Sequence, residues 1–234
     1  MPKIANPLNR IKLSEKFITV LTCSSDKQNN SEMLYFNNNV PQLIELNATI
    51  GLRPDDLTYG EEYTWREYIE NNQQNGIIPF MAYQLYTKNA YCMLRDAFED
   101  RFFIQSAGFG IVRSNYRLPK YNITFTVNNE INRRNYFPNG QDGYQDFNHL
   151  LELDNNREDI VYVGGKSYVK QFIELTRALP NRKVIFYIGS PIHNNYINAG
   201  ENFIFHQYYP ENPNQRTNWQ YGLARDLAHG HIGW

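Results

Sequence analysis

Cysteine is scarce: the 234-residue chain has two, Cys23 and Cys92. Two thiols cannot build a disulfide framework, and no Cys/His spacing resembles a zinc site, so neither a metal nor another cofactor is expected. An excess of charge of one sign is also missing. Lys and Arg number 23 against 24 Asp and Glu, a net charge of −1. That excludes a wholesale basic surface of the kind that coats nucleic acid, but it leaves room for a local patch. Nowhere do about 18 apolar residues run together, and the first twenty hold no apolar core of signal-peptide length. The expectation is a soluble, cytoplasmic protein with no membrane partner.

Aromatic residues, by contrast, are plentiful. They make up 15% of the chain, with 18 tyrosines, and hydrophobic residues make up 41%. A sizeable core can be built from these, and the length suits one large domain or two small ones. Asn runs at Asn29-Asn30, Asn37 to Asn39 and Asn71-Asn72 suit turns and left-handed backbone, and no function is drawn from them.

Four apolar runs read as buried strands, and each empties into small, flexible or polar residues. Phe17 to Leu21 leads into Thr22-Cys23-Ser24-Ser25-Asp26-Lys27. Phe102 to Ile104 leads into Ser106-Ala107-Gly108-Phe109-Gly110. Ile160 to Val163 leads into Gly164-Gly165-Lys166-Ser167-Tyr168, and Val184 to Ile188 into Gly189-Ser190-Pro191-Ile192-His193. Between them, apolar residues at three- and four-residue intervals predict a helix over Phe80 to Phe98, in which Cys92 is inert core. The same spacing predicts helices at Val169 to Leu179 and, after a Thr217/Gln220 capping pattern, from Trp219. A further helix is expected over Tyr144 to Leu153, and a fifth strand at Phe203 to His206. Helical crossovers make the sheet parallel, with its carboxyl ends along one edge. The predicted fold is α/β, a single three-layer domain with a central, mainly parallel sheet flanked by helices. Residues 1–16 form an arm and 17–234 the domain, with an insertion at about 47–79.

Strand ends of this kind are where open α/β sheets place binding crevices, although a glycine turn after a strand also serves as plain connection. Gly164-Gly165 ahead of a helix suits an anion, without the spacing of a nucleotide-triphosphate loop. His193 has the position of a general acid or of an incidental loop residue. Asp55, Asp56, Glu61 and Glu62 suit a solvated loop and the acidic first turn of a helix better than a metal site. From Arg113 to Arg134 five basic residues, Arg113, Arg117, Lys120, Arg133 and Arg134, meet one acid, Glu130, with Tyr116, Tyr121 and Phe125 among them. Such interleaving fits phosphates and stacked bases, or equally an exposed hairpin with aromatics packed beneath.

The order of several short motifs carries a family resemblance. Cys23-Ser24-Ser25-Asp26-Lys27 follows the first strand, Leu85-Tyr86 precedes Ser106 to Gly110 by about twenty residues, and Pro119-Lys120-Tyr121 and Gly164 to Tyr168 come after. In this order the chain resembles the YaaA (peroxide-stress) superfamily, over roughly Phe17 to Ile188. The resemblance implies a core akin to uracil-DNA-glycosylase-like folds, DNA as partner, and modification or removal of a base. Gly140-Gln141-Asp142-Gly143-Tyr144 echoes a glycosylase motif but lacks its proline.

On this resemblance the expected activity is a DNA glycosylase acting on a modified base, in single- or double-stranded DNA, with phage defence as a setting. Asp26 would face the oxocarbenium sugar and Asn122 would position water. Lys27 would hold a flanking phosphate, while Cys23, Ser24 and Ser25 line the crevice beside it. Ser106 and the amides of Gly108, Phe109 and Gly110 would line the base pocket, with Phe109 or Tyr121 stacking on the flipped base. Gly164, Gly165, Tyr168, Ser190 and His193 would contact substrate from the later strand ends, and the five basic residues would clamp the backbone. The alternatives are a base-modifying transferase or nucleoside hydrolase, a non-catalytic stress-response DNA-binding protein, and a cysteine enzyme using Cys23.

Overall fold

The computed structural model describes residues 11–24, 26–28, 53–57, 63–121, 125, 145–153, 157–190, 192–210 and 218–232. In chain order its elements are β1 (Phe17–Thr22), α1 (Trp65–Asn71), α2 (Ala82–Leu85), α3 (Asn89–Phe98), β2 (Phe102–Ser106), β3 (Gly110–Arg113), β4 (Phe147–Asn148), β5 (Asp159–Val163), α4 (Lys166–Thr176), β6 (Lys183–Tyr187), β7 (Phe203–Gln207) and α5 (Trp219–Ala228). The strands β1, β2, β5 and β6 are buried along their whole lengths. Burial on both faces is why they read as continuous apolar runs rather than as alternation.

The sheet has seven strands in the order β4-β3-β2-β1-β5-β6-β7. β1 pairs with β5, β5 with β6 and β6 with β7, all parallel. β2 and β3 are neighbours joined only by residues 107–109, so the chain reverses there. β4 then runs parallel to β3, with Gly110 opposite Phe147. The fold is thus the mostly parallel α/β sheet that the sequence predicts.

The described residues cluster in two compact units. One lies within Met1–Thr22, Asn89–Phe103 and Leu150–Trp234, the other within Cys23–Lys88 and Ile104–His149. In the first, α3 packs on α5, and Tyr91 donates its hydroxyl to the Thr22 carbonyl at 2.7 Å. α4 buries Val169, Phe172 and Ile173 as its spacing predicts. Each such side chain contributes about 1.5–3 kcal/mol on leaving water. Residues 11–16, expected as an arm, are tied down. Leu13 is buried, Ser14 donates its amide to Asp159 at 2.7 Å, and Asp159 donates its amide back to Ser14 Oγ at 2.9 Å.

In the second unit Thr64 and Glu67 form the capping box that starts α1: Thr64 N–H donates to Glu67 Oε2 at 2.7 Å, and Glu67 N–H donates to Thr64 Oγ1 at 3.2 Å. Asp55 is no solvated loop acid. It accepts from Arg66 Nε at 2.8 Å and from the Gln145 amide at 2.5 Å, while Asp56 accepts from the Arg53 amide. Glu61 and Glu62 lie outside the described residues.

Four expectations need correction. The helix over 80–98 is broken into α2 and α3 at Tyr86, whose backbone is extended and bridges Lys27. Cys92, in α3, is only partly buried. In place of a helix over 144–153 the chain forms β4 and a 3-10 turn, because Phe147 N–H donates to the Phe109 carbonyl at 2.9 Å and so joins the sheet edge. α5 begins after Asn218 without a side-chain cap; Thr217 lies outside the described residues.

Lys183 in β6 is fully buried, with its ammonium on the Leu179 carbonyl and 5.0 Å from the centre of the Phe203 ring. Burial lowers its pKa from 10.5 to about 8. Between these values the unfolded chain holds a proton that the folded chain has released, so stability rises with pH over that window. Lys183→Met is expected to flatten that rise and to raise stability at pH 7 by roughly 2 kcal/mol. Denaturant titrations of both proteins at pH 7 and pH 10 measure the difference; parallel pH dependence in the two would contradict it.

Candidate active site

The residues following β1 are positioned by a backbone interlock. Cys23 N–H donates to the Gln105 carbonyl at 2.8 Å, which fixes the exit of β1 beside the end of β2. Residues 26–28 then lie antiparallel to 85–87, with Gln28 N–H on Leu85 O at 2.9 Å, Thr87 N–H on Asp26 O at 3.2 Å and a bridge between Lys27 and Tyr86. Successive side chains of such an extended segment point to opposite faces. Lys27 points inward and is 8% exposed, whereas Asp26 points outward and pairs with Lys88 at 2.7 Å. A carboxylate one residue away therefore does not neutralise the lysine directly.

Lys27 Nζ donates to the Ser24 carbonyl at 3.1 Å and sits 4.4 Å from the centre of the Tyr121 ring and 5.7 Å from that of Tyr86. A cation over an aromatic face is attracted by the ring quadrupole, the more so when desolvated. Burial nevertheless dominates and pushes the pKa of Lys27 below its ordinary value. Cys23 opposes the shift, Lys120 reinforces it, and Asp26 opposes it more weakly. Among the described residues Lys27 forms no ion pair.

Behind the ammonium lies a chain of hydroxyls. Ser106 Oγ donates to Tyr121 Oη at 2.8 Å, Tyr121 Oη and Tyr86 Oη share a bond of 2.7 Å, and Phe109 N–H donates to Ser106 Oγ at 3.0 Å. Phe109 meets Tyr121 edge to face, centroids 5.2 Å apart. Ser106, Phe109 and Tyr121 are buried. Burial, then Cys23 and Tyr86, hold the Tyr121 hydroxyl well above its ordinary pKa against the opposing Ser106 bond, so it remains a neutral donor. The arrangement offers hydroxyl protons and one amine at a single point, which suits stabilising negative charge or handling protons.

The structure thus brings together Cys23, Ser24, Lys27, Ser106, Phe109 and Tyr121 of the sequence-derived set, with Gly108 buried in the same turn. The face of Tyr121, expected to receive a base, carries Lys27. Gly110 has φ of 91°, and a side chain there would strike the Phe147 carbonyl and Asp146. What approaches this glycine so closely is the protein's own β4. Arg117 donates through Nη1 to the carbonyls of Ile78 at 2.9 Å and Pro79 at 2.8 Å, and so pins a loop. Arg113 lies half-buried in β3, its amide on His149 Nδ1, and Lys120 is half-buried. Ser25, Asn122, Arg133, Arg134 and the 140–144 echo lie outside the described residues.

The remaining candidates belong to the first unit. Gly164 is packed so closely that a side chain would meet Thr22 Cγ2 and the Tyr162 hydroxyl, and Gly165 caps α4 while its carbonyl accepts from Tyr162 Oη at 3.1 Å. Tyr168 is buried in α4, Ser190 is exposed, and His193 opens a 3-10 segment. Among the described residues no cluster of His, Cys, Asp and Glu is placed to hold a metal, and no helix is long and apolar enough to cross a membrane.

Sequence reasoning missed Tyr86 and Lys88 as members of the site. Tyr86 fits the apolar periodicity of the predicted helix, and only the Leu85-Tyr86 pair of the family resemblance singled it out. Tyr121→Phe removes the hydroxyl that joins Ser106 to Tyr86 and strands both partners in the interior. The expected cost is about 1–3 kcal/mol in denaturant midpoint analysis, with the Lys27–ring contact kept. An unchanged midpoint would mean that the network carries no stability.

No family model matches the chain, and no curated protein or solved structure matches it.

Proposed function

We propose that the protein is an enzyme that hydrolyses the N-glycosidic bond of a modified base in DNA. The observation that carries this reading is the convergence of Lys27, Ser106 and Tyr121 on one buried point, with Asp26 facing outward from the same loop. Losing a base leaves negative charge on the base and oxocarbenium character on the sugar. Tyr121 and Lys27 are the donors for the first charge; the carboxylate read from the sequence for the second, Asp26, lies on the outer face of the loop, opposite Lys27. Ser106 fixes the Tyr121 hydroxyl by donating to it, and is itself fixed by the Phe109 amide. The choice of DNA rests on the resemblance of the motif order to the YaaA superfamily.

One observation favours a nucleoside hydrolase instead. Arg117, one of five residues assigned to the DNA backbone, is committed to the carbonyls of Ile78 and Pro79. Charge reversal at Arg133 and Arg134 separates the two readings: it should weaken turnover on DNA and leave turnover on free nucleosides unchanged.

The primary test is incubation with DNAs carrying modified and unmodified bases, followed by mass analysis for released base and abasic sites. Release from at least one modified DNA is expected; none from any substrate would end the proposal. Asp26→Asn should lower release by about 10²–10³-fold. The exposed pair with Lys88 is worth at most about 1 kcal/mol, so the variant stays folded and the loss reads on chemistry.

A further inference from the structure

We infer that the outer edge of β7 is a docking strand for a second copy of this chain. Two β7 strands pair antiparallel across a twofold axis at Phe205 and continue the sheet from one protomer into its partner. The pairing is independent of the chemistry proposed for the candidate active site.

β7 is the last strand of the sheet, and its register on β6 runs unbroken from Phe203 to Gln207. Lys183 N–H donates to the Asn202 carbonyl at 2.7 Å, and Tyr208 N–H donates to the Tyr187 carbonyl at 2.7 Å. Bonding residues alternate along each strand of a parallel ladder. The backbone of Ile204 and His206 therefore faces β6, and that of Phe203, Phe205 and Gln207 faces away. The Phe203 amide is taken by the Gly200 carbonyl at 3.2 Å. Among the described residues, nothing bonds the outward amides of Phe205 and Gln207 or the outward carbonyls of Phe203 and Phe205. Natural edges are blunted by charge, proline, a bulge or brevity. Phe203-Ile204-Phe205-His206-Gln207-Tyr208 holds no Lys, Arg, Asp, Glu or proline, and Ile204 is 37% exposed. The opposite edge of the sheet has the usual protection: β4 is two residues long, and Arg66 donates to the adjoining Gln145 carbonyl at 2.5 Å and lies over the Phe147 ring.

An open row of backbone groups takes another strand, and three features select a copy of β7. First, the spacing is self-complementary. With the axis at Phe205, that residue faces its own copy and Phe203 faces Gln207, so each outward amide meets an outward carbonyl and about four backbone hydrogen bonds form. Second, the charges are compatible. No Lys, Arg, Asp or Glu lies between Asn202 and Tyr208, and His206 stands opposite Ile204, so the pair sets no like charges against each other. Third, Phe205 is held ready. Its ring stacks on Tyr196 with centroids 5.9 Å apart and planes 6° from parallel, and the two Phe205 rings share one face of the joined sheet as an aromatic cross-strand pair. A strand pair of this length covers less than the roughly 1,200 Å² of a stable interface, so the dimer is weak and concentration-dependent.

Sedimentation equilibrium of the full chain from about 5 to 500 μM tests this, with monomer and dimer in exchange and a dissociation constant on the order of 10–100 μM expected. Phe205→Pro deletes the central amide, which makes no bond to β6, and should raise that constant at least about 10-fold. Ile204→Lys leaves every backbone bond in place, sets a like charge on each side of the axis, and should weaken the dimer similarly. Thermal melting of both variants reports their folding. A disulfide reads the register. In a Cys92→Ser background, Phe205→Cys should oxidise to a covalent dimer, because opposed residues of a bonded pair lie about 5.5 Å apart, within disulfide reach. Ile204→Cys, two residues out of step with its copy, should not. Monomer throughout the concentration range overturns the inference, whether or not the edge takes an unrelated peptide. A dimer unmoved by both substitutions, or one that cross-links as readily at 204 as at 205, lies on another surface and overturns it too.

Discussion

The contact between the Lys27 ammonium and the Tyr121 ring is the interaction on which the second unit's arrangement turns. An amine with 8% of its surface exposed must be compensated, and here compensation comes from an aromatic face and a backbone carbonyl. The rest follows from holding that lysine in place. Residues 26–28 need a partner strand, 85–87 supply it, and the helix that would have run through Tyr86 is interrupted to do so. Tyr121, with the cation on its face, has its hydroxyl satisfied by Ser106 and Tyr86, as a buried phenol requires.

The parts of the fold that are buried on both faces were legible in the sequence. Phe17 to Leu21, Ile160 to Val163 and Val184 to Ile188 are strands within a residue or two of their predicted ends, because nothing but a buried strand suits so short a β-branched run. The errors occur where a local signal was outweighed by a distant partner. The 80–98 periodicity is genuine, and Ala90 and Leu94 are indeed buried, yet the backbone groups of Leu85 and Thr87 bond residues some sixty positions away. Periodicity carries no information about such a partner. Likewise Phe147 to Leu153 shows no strand signal, and its two-residue strand exists because Gly110 leaves space for it.

The site divides along similar lines. Residues at strand ends, Cys23, Lys27 and Ser106, could be found by position, since the end of a buried strand is where side chains leave the sheet. Their roles within the cluster could not. Which of Asp26 and Lys27 faces inward depends on a strand pairing, and which glycines serve packing depends on what crosses them. Gly110 and Gly164 leave room for the protein's own atoms, a use of glycine that looks identical in sequence to making room for a ligand.

The interruption at Tyr86 also marks a trade between regularity and chemistry. A sequence optimised for stability alone would run one unbroken helix from 82 to 98, satisfying the amides beyond its first turn within the helix and discarding the extended residue. That helix would withdraw the carbonyl of Leu85 and the amide of Thr87 from the loop after β1, and the inward turn of Lys27 would go with them. Substitutions that raise helix propensity around Tyr86-Thr87-Lys88 therefore belong among the changes that strengthen a local element while dismantling what it was bent to support.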